Sequence, residues 1–497
     1  MGRANGWRFT AIHGLMVAVT VAVFLLIRSY GEGLTAPPPQ GASSSAGAPP
    51  AESNALLHVL LALAAVIIVG QLLAKLFAYI GQPPVIGEVI AGILLGPSLL
   101  GRVAPGAFAY LLPASVAPYL SVIAQFGVIL YMFLVGLELN PELLRHRARA
   151  TVTISQASIL TPFLLASMLA VYLYPRLSES NVRFTSFALF LGVAMSITAF
   201  PVLARILTDR RMHKTPLGVE ALACAATNDV TAWCLLALVV GIVQAKVDGA
   251  LLVGAWTLAY IACMFLVVKP VAARLLAVSD ESRVTRGAAA LVFVALLGSA
   301  VITEIIGIHA IFGAFLLGAI IPHDSAVARE FTRKLEDLVT ILLLPAFFAF
   351  TGMRTQIGLV SGVDQWLLCG LIILVATTGK FGGTCLTARL TGLGWREASG
   401  LGVLMNTRGL MELIVLNVGL DLGVISPTLF AMMILMALGT TMATAPVLIW
   451  LGVSRDAGGY LPEKPARADR ESKEIGPLAD VDRERPRDPS QNPLHHA

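Results

Sequence analysis

Charge is scarce in this chain. Only 13% of its 497 residues are Asp, Glu, Lys or Arg, against 57% that are hydrophobic. Mean hydropathy is +0.80, and no soluble class fits such a balance. Recognisable metal chemistry is missing too. The five cysteines, Cys224, Cys234, Cys263, Cys369 and Cys385, sit inside apolar segments with neither ligand spacing nor a disulfide pattern, and read as packing residues. No Gly-rich strand-to-helix turn marks a nucleotide site. No cofactor and no nucleic-acid partner are therefore expected.

What the chain has instead is apolar length. A first segment, Thr10 to Ile27, follows Arg3 and Arg8, and Arg28 closes it with no cleavage motif directly after. Residues 1–30 thus read as a signal peptide or a signal anchor, with the anchor slightly favoured. Residues 31–54, with the run PPPQGASSSAGAPP, read as a flexible linker. Residues 55–453 hold about thirteen apolar segments in one membrane domain, from Leu56–Ile80 to Thr428–Leu451, with the eighth ending near Ile302. Residues 454–497 are polar and Pro-rich, and read as a disordered tail.

Orientation follows from Lys and Arg. Alternate connections carry Arg145, Arg147 and Arg149; Arg210, Arg211 and Lys214; Arg274, Arg283 and Arg286; Arg329, Arg333 and Lys334; Arg389 and Arg396. The other connections hold only scattered charges such as Arg102, Arg176, Arg183, Lys246 and Arg354. The first set is expected on the cytoplasmic side of a cell membrane, which puts the start of the core outside and the tail inside.

The stretch ALACAATNDVTAWCLL, Ala221 to Leu236, interrupts such a segment with Asn228 and Asp229. An Asp at a helix centre costs roughly 2.5–3.5 kcal/mol, so it marks an ion or proton route, or is hydrogen-bonded to hold two helices together. Helical spacing puts Ala225, Ala226, Ala232 and Trp233 on the face of Asp229, where small residues leave room for water or an ion. Asn228, turned by about 100°, flanks the same cavity with a neutral carbonyl oxygen.

Two further segments are broken in their middles. In SITAFPVLAR, Pro201 removes a donor and frees carbonyls near Thr198; in LMNTRGLMELIVLN the break comprises Asn406, Thr407, Arg408 and Gly409. If the first and last six core segments are repeats about a linking seventh, the breaks correspond, which points to a midplane transport site. A Pro kink alone would mean nothing. Lys380, between glycines in TTGKFGG, reads as a counter-charge to Asp229 or to helix-end carbonyls rather than as a snorkelling residue. Arg408 and Glu412, four apart, pair with each other in the simplest reading. Glu88, Glu138, Glu304 and His309 suit structural or interfacial roles at least as well as functional ones.

The blocks PVIGEVIAGILLGPSLLG, MFLVGLELN, SITAFPVLARIL, TNDVTAW, GIHAIFGAFLLGAIIP, TGKFGG and NTRGLMELIVLNVGL resemble, in order, the monovalent cation/proton antiporter superfamily. Within it the match is to the second family and its cation/proton exchanger branch. The resemblance implies an all-α membrane fold of thirteen helices in two inverted repeats, two crossed discontinuous helices, a separate dimerisation domain and so a homodimer. It maps the ion-binding carboxylate onto Asp229, the adjacent polar position onto Asn228, the core lysine onto Lys380, and the first helix break onto Thr198. Electrogenic relatives carry two adjacent aspartates; Asn228 before Asp229 is the pattern linked with electroneutral exchange, and leaves Lys380 without its usual acidic partner. The expectation is secondary antiport of K+ or Na+ against H+, one for one, and not an enzyme. The alternative is a gated K+ efflux channel regulated by a separate subunit; an intramembrane enzyme lacks a second Asp near Asp229 and a His/Cys cluster.

Overall fold

In a computed structural model of the chain, the described residues are 4–38, 55–138, 148–212, 215–244, 250–278, 285–322 and 325–453. The tail 454–497, most of the linker (39–54), and Arg3, Arg145, Arg147, Lys214, Lys246 and Arg283 lie outside them. Every regular element among the described residues is a helix. Twelve are long and apolar enough to cross a membrane, and one bent pair makes a thirteenth. Their outer faces carry exposed side chains such as Leu60, Ile68, Leu258, Val294 and Leu374, as a lipid solvent demands.

Apart from short helical turns at Leu100–Val103 and Pro105–Leu111, the helices, in order, are α1 (Ala4–Gly31), α2 (Ala55–Tyr79), α3 (Pro84–Leu95), α4 (Ala117–Leu137), α5 (Ala148–Leu177), α6 (Phe184–Ser196), α7 (Phe200–Asp209) and α8 (Pro216–Gln244). There follow α9 (250–278), α10 (Arg286–Ile306), α11 (Ala310–Ile320), α12 (326–354), α13 (362–390), α14 (Trp395–Met405), α15 (Leu410–Asp421) and α16 (Pro427–Trp450). Setting α1 aside, counting α6–α7 and α14–α15 as one span each and including the short apolar α11, thirteen segments remain, as expected. The eighth and ninth divide at Gly307–His309, a few residues later than the apolar pattern suggests, because the Glu304 carboxylate caps α11 by accepting the Ala310 N–H at 2.8 Å.

The helices form two packing groups. One holds α2, α3, α4, α10, α11 and α12; the other holds α1, α5 to α8 and α13 to α16; α9 packs against α8 of the second and α10 and α11 of the first. The first group is joined by two glycine crossings. A Cβ on Gly92 would strike the Phe348 carbonyl and one on Gly352 the Gly92 carbonyl, so α3 and α12 touch backbone to backbone. Gly136 and Gly318 bring α4 and α11 together in the same way. Within the order of segments these crossings exchange places, second with tenth and third with ninth, as an inverted repeat requires.

Three helices contain a π-helical turn, at Met264–Val268, Val339–Leu343 and Thr378–Gly382. An extra residue per turn shifts the face that a helix presents. The third such turn carries Lys380. Helix α1 packs against α5 and α6, and its continuation is tied down as well: Glu32 accepts from Thr185 Oγ1 at 3.0 Å, and the Pro37 carbonyl accepts the Ser180 N–H at 2.9 Å.

Candidate cation and proton site

Both interrupted segments are broken where the sequence predicts. Helix α6 ends at Ser196, residues 197–199 are extended, and α7 starts at Phe200 with Pro201 in its first turn, where a missing N–H costs nothing. Helix α14 ends at Met405, and after Asn406 to Gly409 the chain resumes as α15, bent by 44°. The two breaks touch. Ala199 N–H donates to the Thr407 carbonyl at 3.1 Å, and Thr198 Oγ1 donates to the Met405 carbonyl at 2.9 Å. Thr198 thus ties the first break to the second through its proton.

Each broken end carries backbone groups without helical partners, and side chains of matching charge meet them. At the carbonyl end of α6, Arg408 donates through Nη1 to Ala194 at 3.2 Å and through Nη2 to Met195 at 2.7 Å; Lys380 Nζ takes the Ser196 carbonyl. At the amide end of α7, the Asp229 carboxylate lies beside the backbone of Phe200. Across the repeat, Thr441 Oγ1 on α16 accepts the Arg408 N–H at 2.9 Å. The two positive side chains therefore cap one half-helix, and the carboxylate stands beside the start of the other.

Asn228, Asp229, Lys380 and Arg408 are all buried, as is Glu412, whose Oε2 accepts from Arg408 Nη1 at 2.6 Å. Among the described residues, Asp229 Oδ1 and Asn228 Oδ1 have no protein donor, and neither has Glu412 Oε1, the second oxygen of the carboxylate that Arg408 holds. Asn406 Oδ1, at the other break, is also without one. Asn228 instead uses its Nδ2, which donates to Ser158 Oγ at 2.8 Å. One helical turn from Asp229, Trp233 packs against Phe312 and Phe315 of α11, with ring centroids 5.7 Å and 6.2 Å away. Tyr131 of α4 lies within electrostatic reach of Asp229 and of Glu138. The face carrying Asp229 therefore looks onto the seam between the two packing groups.

The other candidates separate from this centre. Glu88 lines a small cavity with Gln71, Pro345 and Phe348, Glu138 stands at the end of α4, and Glu304 and His309 serve the turn into α11. Sequence reasoning missed Ser158, Pro162 and Thr441. Pro162 was visible as a proline inside an apolar run; the hydroxyls carry no signal until the fold gives them partners.

A carboxylate poised at the crossing of two broken membrane helices, with the opposing helix end neutralised by fixed cations, defines an ion-transporting membrane protein. Residues 61–450 match the family model described as "Sodium/hydrogen exchanger, transmembrane". The chain belongs to that family: it is a multi-pass membrane protein of the monovalent cation/proton antiporter class, not an enzyme. It is 43% identical over 401 residues to the Na(+)/H(+) antiporter NhaS4 of Synechocystis, covering 80% of this chain and 98% of the relative. It is 39% identical to cation/H(+) antiporter 20 of Arabidopsis thaliana over 78% of this chain, and 34% identical to K(+)/H(+) antiporter 1 of Saccharomyces cerevisiae over 80%. It spans 47% and 46% of those two longer proteins. Among solved structures, the sodium proton antiporter MjNhaP1 of Methanocaldococcus jannaschii shares the fold, with a TM-score of 0.57 at 15% identity over 80% of this chain and 98% of that one.

Proposed function

We propose that the protein exchanges one K+ or Na+ for one H+ by alternating access, with the two ions competing for Asp229. The observation that carries this reading is the set of partners. Lys380 and Arg408 are held by α6 carbonyls and Glu412 is held by Arg408, which leaves Asp229 as the one acid at the crossing with an open oxygen and no ion pair among the described residues. A protonated Asp229 and a cation-loaded Asp229 carry the same net charge. If the group containing α5 to α8 and α13 to α16 crosses only when loaded, each cation moved one way returns a proton, and no net charge moves.

Asn228 Oδ1 and Asp229 Oδ1 supply the two side-chain oxygens, and the fixed charges Lys380 and Arg408 hold the half-helices in place whether the site is full or empty. The protein would sit in the cell membrane as a homodimer, with the basic connections and the C-terminal tail on the cytoplasmic side. NhaS4 is named a sodium antiporter and the yeast protein a potassium antiporter, which supports both cations as candidates.

The test is dequenching of a pH-sensitive dye in proteoliposomes, with Na+, K+, Rb+ or Li+ added in turn, with and without an imposed membrane potential. Proton movement that needs a monovalent cation, ignores the potential and vanishes in Asp229→Asn is the expected result. Cation flux that leaves the proton gradient intact would mean a channel instead, and wild-type exchange by a folded Asp229→Asn protein overturns the assignment.

A further inference from the structure

Pro162 lies inside α5. It has no N–H, so the carbonyl four residues earlier, that of Ser158, loses its helical donor. Lys380 Nζ donates to that carbonyl at 3.1 Å, and the same ammonium takes the Ser196 carbonyl released by the break in α6. Two interrupted helices thus give the lysine the acceptors that an adjacent aspartate would otherwise supply. The fit is close: a Cβ on Gly379 would collide with Pro162, and one on Gly383 with Thr161, so the glycines and the π turn around Lys380 let α13 lie against the proline.

The side chain of Ser158 has a second task. Its hydroxyl donates to the Ser155 carbonyl at 2.9 Å and accepts from Asn228 Nδ2 at 2.8 Å. A hydroxyl has one proton, and with that proton committed it only accepts from Asn228. The amide nitrogen is therefore turned toward Ser158, and Asn228 Oδ1 remains open, as does Asp229 Oδ1 on the next residue.

We infer that Ser158 is a positioning residue for cation binding: its carbonyl, released by Pro162, anchors Lys380 on the backbone instead of on Asp229, and its hydroxyl turns Asn228 so that Oδ1 shares the cation with Asp229. This rests on the reading of Asp229 as the exchange site. Removing the hydroxyl lets the amide rotate and offer its N–H2 to the carboxylate, in competition with the cation. Replacing Pro162 by Ala restores a helical N–H that competes with Lys380 for the Ser158 carbonyl and frees the ammonium to pair with Asp229.

The experiment measures cation-dependent proton exchange by wild type, Ser158→Ala, Ser158→Thr and Pro162→Ala in proteoliposomes, for K+ and Na+, on protein shown to be monodisperse. Exchange by the wild type is read first; its absence is a failure of the functional proposal, not of this one. With exchange present, Ser158→Ala and Pro162→Ala are expected to raise KM for the cation about tenfold, the equivalent of about 1.4 kcal/mol, with kcat within about twofold. Ser158→Thr, which keeps the hydroxyl, is expected to restore a KM near that of the wild type. A folded Ser158→Ala or Pro162→Ala with unchanged KM overturns the inference, as does a Ser158→Thr variant as impaired as Ser158→Ala. Should Ser158→Ala fail to fold, Pro162→Ala alone carries the decision.

Discussion

Arg408 Nη1 donates to Glu412 Oε2 at 2.6 Å, and both side chains are buried beneath the crossing of the two broken helices. Breaking one side of such a pair typically costs about 3–5 kcal/mol, because the remaining charge is stranded. Arg408→Met is therefore expected to lower the thermal midpoint of the detergent-solubilised protein sharply, the more so because Ala194 and Met195 lose their donor too. Glu412→Gln should be milder, since a neutral acceptor remains. The combination Arg408→Met with Glu412→Leu should recover part of the loss. A wild-type midpoint for Arg408→Met would rule out the structural role.

Lys380 donates to two carbonyls, so its removal orphans both. Each unsatisfied buried group costs about 1–3 kcal/mol. Lys380→Ala is expected to lose stability on that scale while retaining measurable exchange, unlike Asp229→Asn. Thermal unfolding and proteoliposome flux on the same preparation separate the two effects; a stable Lys380→Ala protein without any exchange would assign the lysine to ion handling instead.

Asn228 marks the difference between one acid and two. Asn228→Asp adds a second carboxylate against Ser158, close enough to the Lys380 network to titrate with it. Exchange by this variant is expected to respond to an imposed membrane potential, which the wild type should ignore. The same flux at zero and at inside-negative potential in the variant would show that the extra acid takes no part in transport.

Outside the bundle, hydrogen bonds from Arg28, first, and Thr185 hold the Glu32 carboxyl below its usual range. A group held low in the folded chain contributes docking that is present above its ordinary value near 4.5 and is lost as pH falls through the lowered one. The amides of Glu32 to Ala36 are expected to be protected at neutral pH, with a protection factor, taken against the intrinsic rate at each pH, that falls on acidification below that range, and Glu32→Gln should show the lower protection at neutral pH. Protection that does not change with pH or with Glu32→Gln would mean that the backbone contact at Ser180 suffices.

Much of this was legible from residues alone. Asp229, Pro201 and Asn406 to Gly409 betrayed themselves because polar or backbone-breaking residues in apolar runs are costly and must be answered elsewhere. The answers were harder to read. That Thr198 bonds the opposite break, that Pro162 serves Lys380 and that Thr441 receives the Arg408 N–H all depend on which helices lie side by side, and no spacing within one segment carries that information. Arg408 and Glu412 were legible as a pair since they share a helix face, yet the hold of Arg408 on α6 was not, because more than two hundred residues separate the partners (|i−j| 213 and 214).

The glycine crossings have a consequence for how the chain is made. Gly92 meets Gly352 and Gly136 meets Gly318, so neither half of the sequence can close its own set of helices. At a synthesis rate of roughly 5–20 residues per second, α3 waits on the order of ten to fifty seconds in the lipid before α12 is made. During that interval its glycine stripe faces hydrocarbon or a chaperone. Biogenesis of the protein thus depends on an early segment, already packed against α2, keeping its other face open until a late one arrives.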